Sequence, residues 1–436
     1  MAKILLIGRG PLPTPTAPQL GFSQLRTAAF ADALASGGHA VRILSLESHP
    51  RDARTPLTQW EGVLATKEEG PGWIQRAREA ADGADIVVSA GPYNPGRLAV
   101  AIADHRPVWV DVPGDPTAEL AALARVTPDG LTDEQVAAAL AGAAAVLSRA
   151  DGISVISEAQ RHATLGQLGL IGRLLSEDTS PVLATMPNSG DFIELKNRPE
   201  REDGLVVALA GSFNPWMDVD GLITCLETLF HLKVDARVIC TGGGIEGFYE
   251  AGFEKFSTWA STQGDRVNVH GWLPHGDMLQ CLASAHVGLS MDASGPEPEL
   301  GSRTRLLLYA GLGLIPASTT RCELARDWAR EGALVPLPFG DPVGAGEVLA
   351  GLSPDATIAD RAAALTPTSA QVCVPLLQWC QQPRRCADFR SESAVLASEL
   401  ETTKDQLRAV YSSPSWRAMN RLHGLGLTAV GRLKSQ

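Results

Sequence analysis

The stretch KILLIGRGPLPTPTAPQLGFSQLRTAAFADALASGGHAVRIL, residues 3–44, contains one complete strand–helix–strand unit. Lys3–Ile7 is an almost continuous apolar run, which is typical of a strand buried on both faces of a parallel sheet. Phe22–Ser36 carries apolar residues at helical spacing, and Gly37-Gly38 ends that helix by supplying a positive φ. His39–Leu44 is a second apolar run. The unit predicts two parallel strands joined by a right-handed helical crossover.

The same alternation continues along the chain, pauses in a polar, proline-containing stretch at 186–204, and then restarts. Further strands are predicted at Asp85–Ser89, Val108–Val112, Gly152–Val155, Leu205–Ala210, Ala236–Thr241, Arg266–His270, His286–Met291 and Leu314–Ala317. Helices are predicted at Gly72–Ala81, Pro95–Ala103, Thr132–Ala150, Val219–His231, Phe248–Gln263, Gly276–Ala285 and Ser302–Gly311. We therefore expect an α/β protein with two Rossmann-like, doubly wound domains facing across a cleft, 1–190 and 204–382.

Composition and charge exclude several classes of protein. The chain has 436 residues, 44% of them hydrophobic, and a net charge of −12, so it is globular and a poor candidate for nucleic-acid binding. Its seven cysteines include no C-x-x-C pair, and we expect buried reduced thiols and no metal site. No apolar run approaches the roughly 18 residues of a membrane span. We expect a cytoplasmic protein.

The last part of the chain, 383–436, differs in charge and pattern from the rest. Leu396, Leu400, Thr403, Leu407 and Val410 recur every three or four residues and predict one amphipathic helix. From 406 to 436 there are five cations and no acid, so +5 there leaves −17 on the rest of the total of −12. The tail is expected either to bind an anionic membrane surface or a protein partner, or to fold back onto the N-terminal domain.

Ligands of open α/β sheets bind beside the loops that follow the strands, and four such loops stand out. The first runs from Gly8 to Gly21. It begins like a dinucleotide fingerprint, but Pro13 stands at the third glycine position and no helix opens there, so NAD binding is disfavoured. Gly21 and Phe22 instead begin the following helix, whose free amides favour an anion, unless Gly21 is only a turn residue.

The second and third loops carry glycines directly after strands. Gly211 and Ser212 can present backbone amides to a diphosphate, with Asp218 as a helix cap further on. Trp216 either walls the cleft or packs in the core. Gly243 and Gly244, within the run Gly242–Gly244, allow close approach to a flat ring or form a plain flexible turn.

The fourth loop, Pro296-Glu-Pro-Glu-Leu-Gly-Ser-Arg-Thr-Arg305, carries the strongest signal. Arginines are disfavoured in the first turn of a helix unless an anion binds there. Arg303 and Arg305 would therefore hold a diphosphate together with the backbone amides at the helix start. The alternative is that both arginines pair with Glu297 and Glu299 in a surface network. The remaining candidate residues of this loop are Leu300, Gly301 and Ser302.

On these residues the sequence resembles retaining glycosyltransferases of the GT-B fold, similar to family-4 members, over about residues 1–350. The resemblance also rests on further segments in the same order along the chain. They are Leu34–Val41, Asp111–Pro116, Asp151–Ser157, Pro187–Gly190, Gly271–Pro274 and Ala285–Ser290, with Glu299–Gly313 the most diagnostic. The resemblance implies a C-terminal domain that binds a nucleotide diphosphate sugar without a metal or cofactor, and an N-terminal domain that binds the acceptor.

The resemblance also assigns roles to individual residues. Arg303 and Arg305 would stabilise the leaving diphosphate, and Glu299 would orient the donor. Asp115 would contact the acceptor hydroxyl, unless it is a helix cap. Gly21, Phe22, Gly211, Ser212, Trp216, Gly243, Gly244, Glu297, Leu300, Gly301 and Ser302 would line the donor site.

The sequence departs from the family pattern in two places. Two glutamates normally stand with seven residues between them, but Arg305 and Leu307 stand where the second would follow Glu297 or Glu299. An arginine-then-lysine pair after the Gly211 loop is also missing. The expected function is sugar transfer onto a growing glycan. The alternatives are a non-catalytic scaffold on a degenerate GT-B fold and a nucleotide-sugar epimerase.

Overall fold

The computed structural model describes residues 1–13, 20–47, 62–67, 72–191, 195, 199–201, 204–245, 247–353 and 356–387, and six residues between 403 and 416. For 62–67 only the backbone is described. The chain divides into two compact units, 1–387 and 388–436, and every element below belongs to the first. The amphipathic helix and basic tail predicted from Leu396 onward lie outside the described residues, apart from those six.

The N-terminal half is a seven-stranded, wholly parallel sheet in the order β3-β2-β1-β4-β5-β6-β7. Its strands are β1 (Lys3–Arg9), β2 (Ala40–Glu47), β3 (Gly62–Lys67), β4 (Ile86–Ser89), β5 (Val108–Asp111), β6 (Gly152–Val155) and β7 (Val182–Thr185). The central strand β1 buries Ile4–Ile7 on both faces, as its apolar run predicts.

Six helices follow the strands of this half. They are α1 (Phe22–Ser36), α2 (Trp73–Ala80), α3 (Asn94–Ile102), α4 (Pro116–Val126), α5 (Asp133–Arg149) and α6 (Glu158–Leu170). Five of them, α1, α2, α3, α5 and α6, contribute side chains to its two apolar core clusters. Helix α1 ends as the sequence predicts, because Gly38 adopts a φ of 81°. The loops that lead from each strand into its helix all lie at the carboxyl edge of the sheet.

The C-terminal half repeats this architecture with six parallel strands in the order β10-β9-β8-β11-β12-β13. The strands are β8 (Val206–Ala210), β9 (Arg237–Thr241), β10 (Val267–Gly271), β11 (Val287–Ser290), β12 (Ile315–Thr319) and β13 (Val335–Leu337). The helices are α7 (Val219–Leu232), α8 (Ala251–Ser261), α9 (His275–Ala283), α10 (Pro296–Leu300), α11 (Thr304–Gly311), α12 (Glu323–Arg330), α13 (Pro342–Gly351) and α14 (Ala356–Leu365). This strand order is that of a Rossmann fold, so the prediction of two doubly wound domains is confirmed.

Every predicted strand is present, with its ends shifted by a few residues, whereas β3, β7 and β13 were not predicted. All three are edge strands of their sheets. Edge strands are short and are covered less completely, so their apolar pattern is weak. In β7 Val182 is 42% exposed, and β13 contains a proline, a residue that weakens the strand signal of a short segment.

Two further helices, α15 (Ser369–Val372) and α16 (Val374–Gln381), return to the N-terminal sheet. Their apolar side chains share one core cluster with those of β1 and α1. The members from the returning helices are Val372, Cys373, Leu376, Trp379 and Cys380. The apolar face of α16 therefore belongs to the N-terminal core. The predicted bounds, 204–382 for the C-terminal domain and 383–436 for the tail with its crossover, stay predictions.

Trp379 packs α16 into the N-terminal core, and its replacement by a small residue should destabilise the first unit. Its ring lies 5.4 Å from that of the fully buried Trp109. We expect Trp379→Ala to lower the free energy of unfolding by about 3–5 kcal/mol, measured by urea denaturation. Trp379→Phe is the matched control, because it keeps a ring and removes an indole N–H that has no hydrogen-bond partner within the described part of the chain. Equal losses in both variants would contradict ring packing as the source of stability.

Candidate functional site

The two halves meet through the loops at the carboxyl ends of their strands. Ser157, after β6, donates a hydrogen bond of 2.6 Å to the carbonyl of Leu300, at the end of α10. Asn188, after β7, donates one of 2.8 Å from Nδ2 to Thr304 Oγ1, in the first turn of α11. These contacts join two carboxyl edges, which is where open α/β sheets bind their ligands.

Arg305 brings the second and fourth predicted loops together. Its Nη2 donates a hydrogen bond of 2.9 Å to the carbonyl of Ser212, and its Nη1 lies 3.7 Å from Met217 Sδ. Neither partner is an anion, and no carboxylate among the described residues forms an ion pair with Arg305. Burial lowers the pKa of this guanidinium. Arg305 is thus a partly buried cation in the first turn of a helix, an arrangement that favours an incoming anion.

The glycines of the second and third loops let the two loops touch. Gly211, at a φ of 84°, donates to the carbonyl of Thr241 at 3.0 Å. A Cβ at Gly242, whose φ is 99°, would stand 2.2 Å from the carbonyl oxygen of Gly211. A Cβ at Gly243 would stand 3.3 Å from the side chains of Phe253 and Trp272. One at Gly244 would stand 3.1 Å from the Cα of Glu250. Gly242 and Gly211 therefore serve the packing of the two loops, and contact of Gly243 and Gly244 with a flat ring stays a prediction.

Trp216 lies in the turn after β8 and is half-buried. Its carbonyl accepts a hydrogen bond of 2.9 Å from the amide of Ala293, in the loop after β11. Asp218 begins α7 as the predicted cap, with its carboxylate accepting from the amide of Gly221 at 2.9 Å. The turn thus ties the loops after β8 and β11 together, and a role of Trp216 in walling the cleft stays a prediction.

Arg303 is in a different situation from Arg305. Its Nε donates to Asp292 Oδ1 at 2.5 Å, and its Nη2 donates to Glu297 Oε2 at 2.9 Å. All three side chains are at most 6% exposed. Burial opposes the charge of Arg303, but the two carboxylates outweigh it and raise its pKa. Burial likewise raises the pKa of Glu297, despite the attraction of Arg303.

The network foreseen as an alternative to diphosphate binding therefore exists for Arg303 and Glu297, but it is buried and includes Asp292. Glu299 is separate from it and pairs with Arg321 on the surface. Helix α11 begins at Thr304, not at Ser302 as predicted, because Arg303 adopts the non-helical cap conformation. The amide of Gly301 is used by the carbonyl of Glu297 at 2.8 Å. A direct contact of Arg303 with a diphosphate stays a prediction.

The N-terminal candidates occupy capping positions. Asp115 caps α4: Oδ1 accepts from the amides of Thr117 and Ala118 at 2.9 Å, and Oδ2 accepts from Gln167 at 2.7 Å. Its geometry supports the cap, and contact with an acceptor hydroxyl stays a prediction. Gly21 begins α1 with its amide bonded to Gln24 and a φ of −103°, so no left-handed conformation requires glycine there. Phe22 follows it at the first helical position.

A buried ion pair that the sequence did not predict links the N-terminal sheet to α11. Arg26, in α1, binds Asp111 at the end of β5 with two hydrogen bonds of 2.6 and 2.7 Å. Its Nη1 also donates to Asn188 Oδ1 at 3.2 Å, and Asn188 in turn bonds to Thr304. The one available signal was a cation within the largely apolar run of α1, which is typical of a buried, paired arginine.

Tyr93 and Glu119 form a second pair that the sequence did not predict. Tyr93 follows β4, Glu119 lies in the first turns of α4, and the tyrosine hydroxyl donates a hydrogen bond to Glu119 Oε2. Both groups stand at the carboxyl edge of the N-terminal sheet, on the side where α4 packs against α10 of the other half.

Among the described residues no helix is long and apolar enough to cross a membrane.

The arrangement matches solved glycosyltransferases in fold. HepE of Anabaena, in complex with UDP-glucose, aligns with a TM-score of 0.58 at 14% identity, over 87% of this chain and 99% of that chain. Sucrose-phosphate synthase from Thermosynechococcus elongatus aligns with a TM-score of 0.61 at 15% identity, over 94% and 100%. AviGT4, a glycosyltransferase involved in avilamycin A biosynthesis, aligns with a TM-score of 0.53 at 17% identity, over 89% and 100%.

No family model matches the sequence, and no curated protein matches it significantly. The structural likeness spans both halves of the first unit and nearly the whole of each neighbour. Because the identities are low, this likeness establishes the fold. The chain has the GT-B fold: two Rossmann-like domains whose carboxyl edges face one another.

Proposed function

We propose that this protein is a glycosyltransferase that moves a sugar from a nucleotide diphosphate sugar onto a growing glycan. The observation that carries the proposal is Arg305, a partly buried cation without an anionic partner among the described residues, beside the Gly211–Ser212 loop at the carboxyl edge of the C-terminal sheet. A leaving diphosphate would supply the missing anion. Solved neighbours with this fold bind UDP or UDP-glucose, which supports the same class of donor here.

The finer assignments belong to the same proposal. Resemblance to retaining family-4 enzymes supports retention of the anomeric configuration. Metal independence follows if Arg305 and the amides at the start of α11 neutralise the diphosphate, because these protein groups then take the place of a metal ion. The acceptor would bind to the N-terminal domain, since α4 and the loop after β4 face the predicted donor site. A cytoplasmic location, and a membrane or protein partner for 396–436, remain predictions.

Binding of nucleotide sugars is the direct test. We expect at least one member of a panel of UDP-, GDP-, ADP- and dTDP-linked sugars to raise the unfolding temperature of the full chain. At a ligand concentration of about 100 Kd the stabilisation is about 2.7 kcal/mol. Inorganic phosphate at equal concentration is the control for an unspecific anion effect. A chain that no nucleotide sugar or nucleoside diphosphate stabilises would instead be a scaffold.

The epimerase alternative is separated by incubating the protein with the bound nucleotide sugar alone. An epimerase converts the donor to a second nucleotide sugar without any acceptor, whereas a transferase releases the nucleoside diphosphate. Chromatography of the products distinguishes the two reactions.

A further inference from the structure

Three loops with titratable side chains converge where α4 packs on α10. Tyr93 comes from the loop after β4, and Glu119 comes from the helix after β5. Glu297, from α10, approaches from the C-terminal half, close enough for its charge to act on Glu119. The tyrosine hydroxyl donates its hydrogen bond to Glu119 Oε2. The N-terminal half therefore presents a tyrosine–carboxylate pair directly beside the loop that carries Arg303 and Arg305.

Tyr93 is held in a conformation that packing alone does not explain. Its φ is 62° and its ψ is −105°, a backbone region that non-glycine residues avoid. The residue is nevertheless 43% exposed, so burial of its aromatic ring does not offset the energetic cost of this backbone conformation. Strained residues of this kind cluster at ligand-binding and catalytic sites. In this conformation the hydroxyl of Tyr93 reaches the carboxylate of Glu119.

Glu119 is not paired with any cationic side chain of the described residues. Among the described residues it forms no ion pair, and Arg303, whose charge acts on it, is already bonded to Asp292 and Glu297. The pKa of Glu119 is raised to about 8. Burial is the largest cause, and the negative charges of Glu297 and Asp115 raise the pKa further. The hydrogen bond from Tyr93 and the charge of Arg303 act in the opposite direction. Such a carboxylate is suited to exchanging a proton near neutral pH.

We propose that Glu119 is the group that accepts the proton of the acceptor hydroxyl during sugar transfer, and that Tyr93 positions its carboxylate. This assignment rests on the proposed function. The hydroxyl oxygen forms a bond to the anomeric carbon, and the bond from that carbon to the diphosphate oxygen breaks. The electron pair leaves with the nucleoside diphosphate, and the hydroxyl proton passes to Glu119. In a retaining transfer the leaving diphosphate could take this proton instead, and the following variants separate the two routes.

The experiment measures release of nucleoside diphosphate from the bound nucleotide sugar between pH 6 and 9.5, with water as the acceptor. We expect the rate of the wild type to rise through about pH 8, as Glu119 ionises. Glu119→Gln should lower the rate about 10²–10⁴-fold and remove the dependence on this ionisation. In the wild type the hydrogen bond from Tyr93 stabilises the ionised carboxylate and lowers the pKa of Glu119. Tyr93→Phe removes this bond, so the rise in rate should move to higher pH. Glu79→Gln, which changes an exposed glutamate on α2, is the control.

Donor binding distinguishes failure of this inference from failure of the proposed function. Glu119→Gln should bind the nucleotide sugar with the affinity of the wild type, since Glu119 belongs to the acceptor side. If the variant binds normally and keeps both the rate and its pH profile, the diphosphate takes the proton and the role of Glu119 is disproved. If the wild type binds no nucleotide sugar, the proposed function fails and this role fails with it.

Discussion

Replacing Arg305 with glutamine is expected to lower kcat/KM for the nucleotide sugar about 10²–10³-fold while leaving the fold intact. The guanidinium stands at the start of α11 without a carboxylate partner among the described residues, so in the proposed reaction its charge would stabilise the leaving diphosphate. Removing one preorganised donor from a developing anion has an effect of this size. Steady-state release of the nucleoside diphosphate measures it.

The stability of this variant provides a check on the same argument. Burial lowers the pKa of Arg305, which means that the folded protein disfavours the charge. Arg305→Gln should therefore keep or raise the free energy of unfolding. Arg305→Lys tests geometry, because a lysine keeps the charge but loses the bidentate fork and should recover only part of the activity. Full activity in Arg305→Gln would refute the donor site.

Arg303→Met is expected to have the opposite phenotype, a loss of about 3–5 kcal/mol in the free energy of unfolding. Arg303 is buried between Asp292 and Glu297, and its removal leaves two buried carboxylates without a counter-charge. Urea denaturation at pH 7 measures the loss. The loss should shrink as the pH falls and Glu297, whose pKa is raised by burial, becomes protonated, because a neutral carboxyl group no longer needs the arginine.

Two variants make this prediction specific. Arg330→Met removes an exposed arginine from α12 and should change stability by less than about 1 kcal/mol. Replacing Arg303, Asp292 and Glu297 together by Met, Asn and Gln should recover much of the lost stability, since no buried charge remains unpaired. If Arg303→Met is as stable as the wild type, Arg303 is free to leave its partners, and a direct role at the diphosphate becomes the better assignment.

The sequence predicted the fold well because its buried strands are long apolar runs. The run at β1 and the helical spacing of α1 were sufficient to place the first unit of the sheet. The strands that were missed, β3, β7 and β13, lie at edges, where packing constrains the side chains least. The packing of α16 on the N-terminal sheet was not predicted, because its apolar residues look the same in sequence whichever domain they cover.

The site was less predictable, because its chemistry depends on pairs that are distant in sequence. Arg303 and Arg305 look equivalent in the sequence, yet one is neutralised by Asp292 and the other faces the carbonyl of Ser212. Glu119 and Tyr93 carry no motif at all, since their meeting depends on the order of β4 and β5 in the sheet. Helix caps such as Asp218 were predictable, because a cap is local.

The return of α15 and α16 to the first sheet has a consequence for how the protein is made. The N-terminal domain emerges first from the ribosome, but the side chains that complete its core are among the last of this unit to be synthesised. At roughly 5–20 residues per second, its apolar surface stays uncovered for on the order of ten seconds or more. During that interval the nascent chain offers a binding surface to chaperones, and the two domains finish folding together.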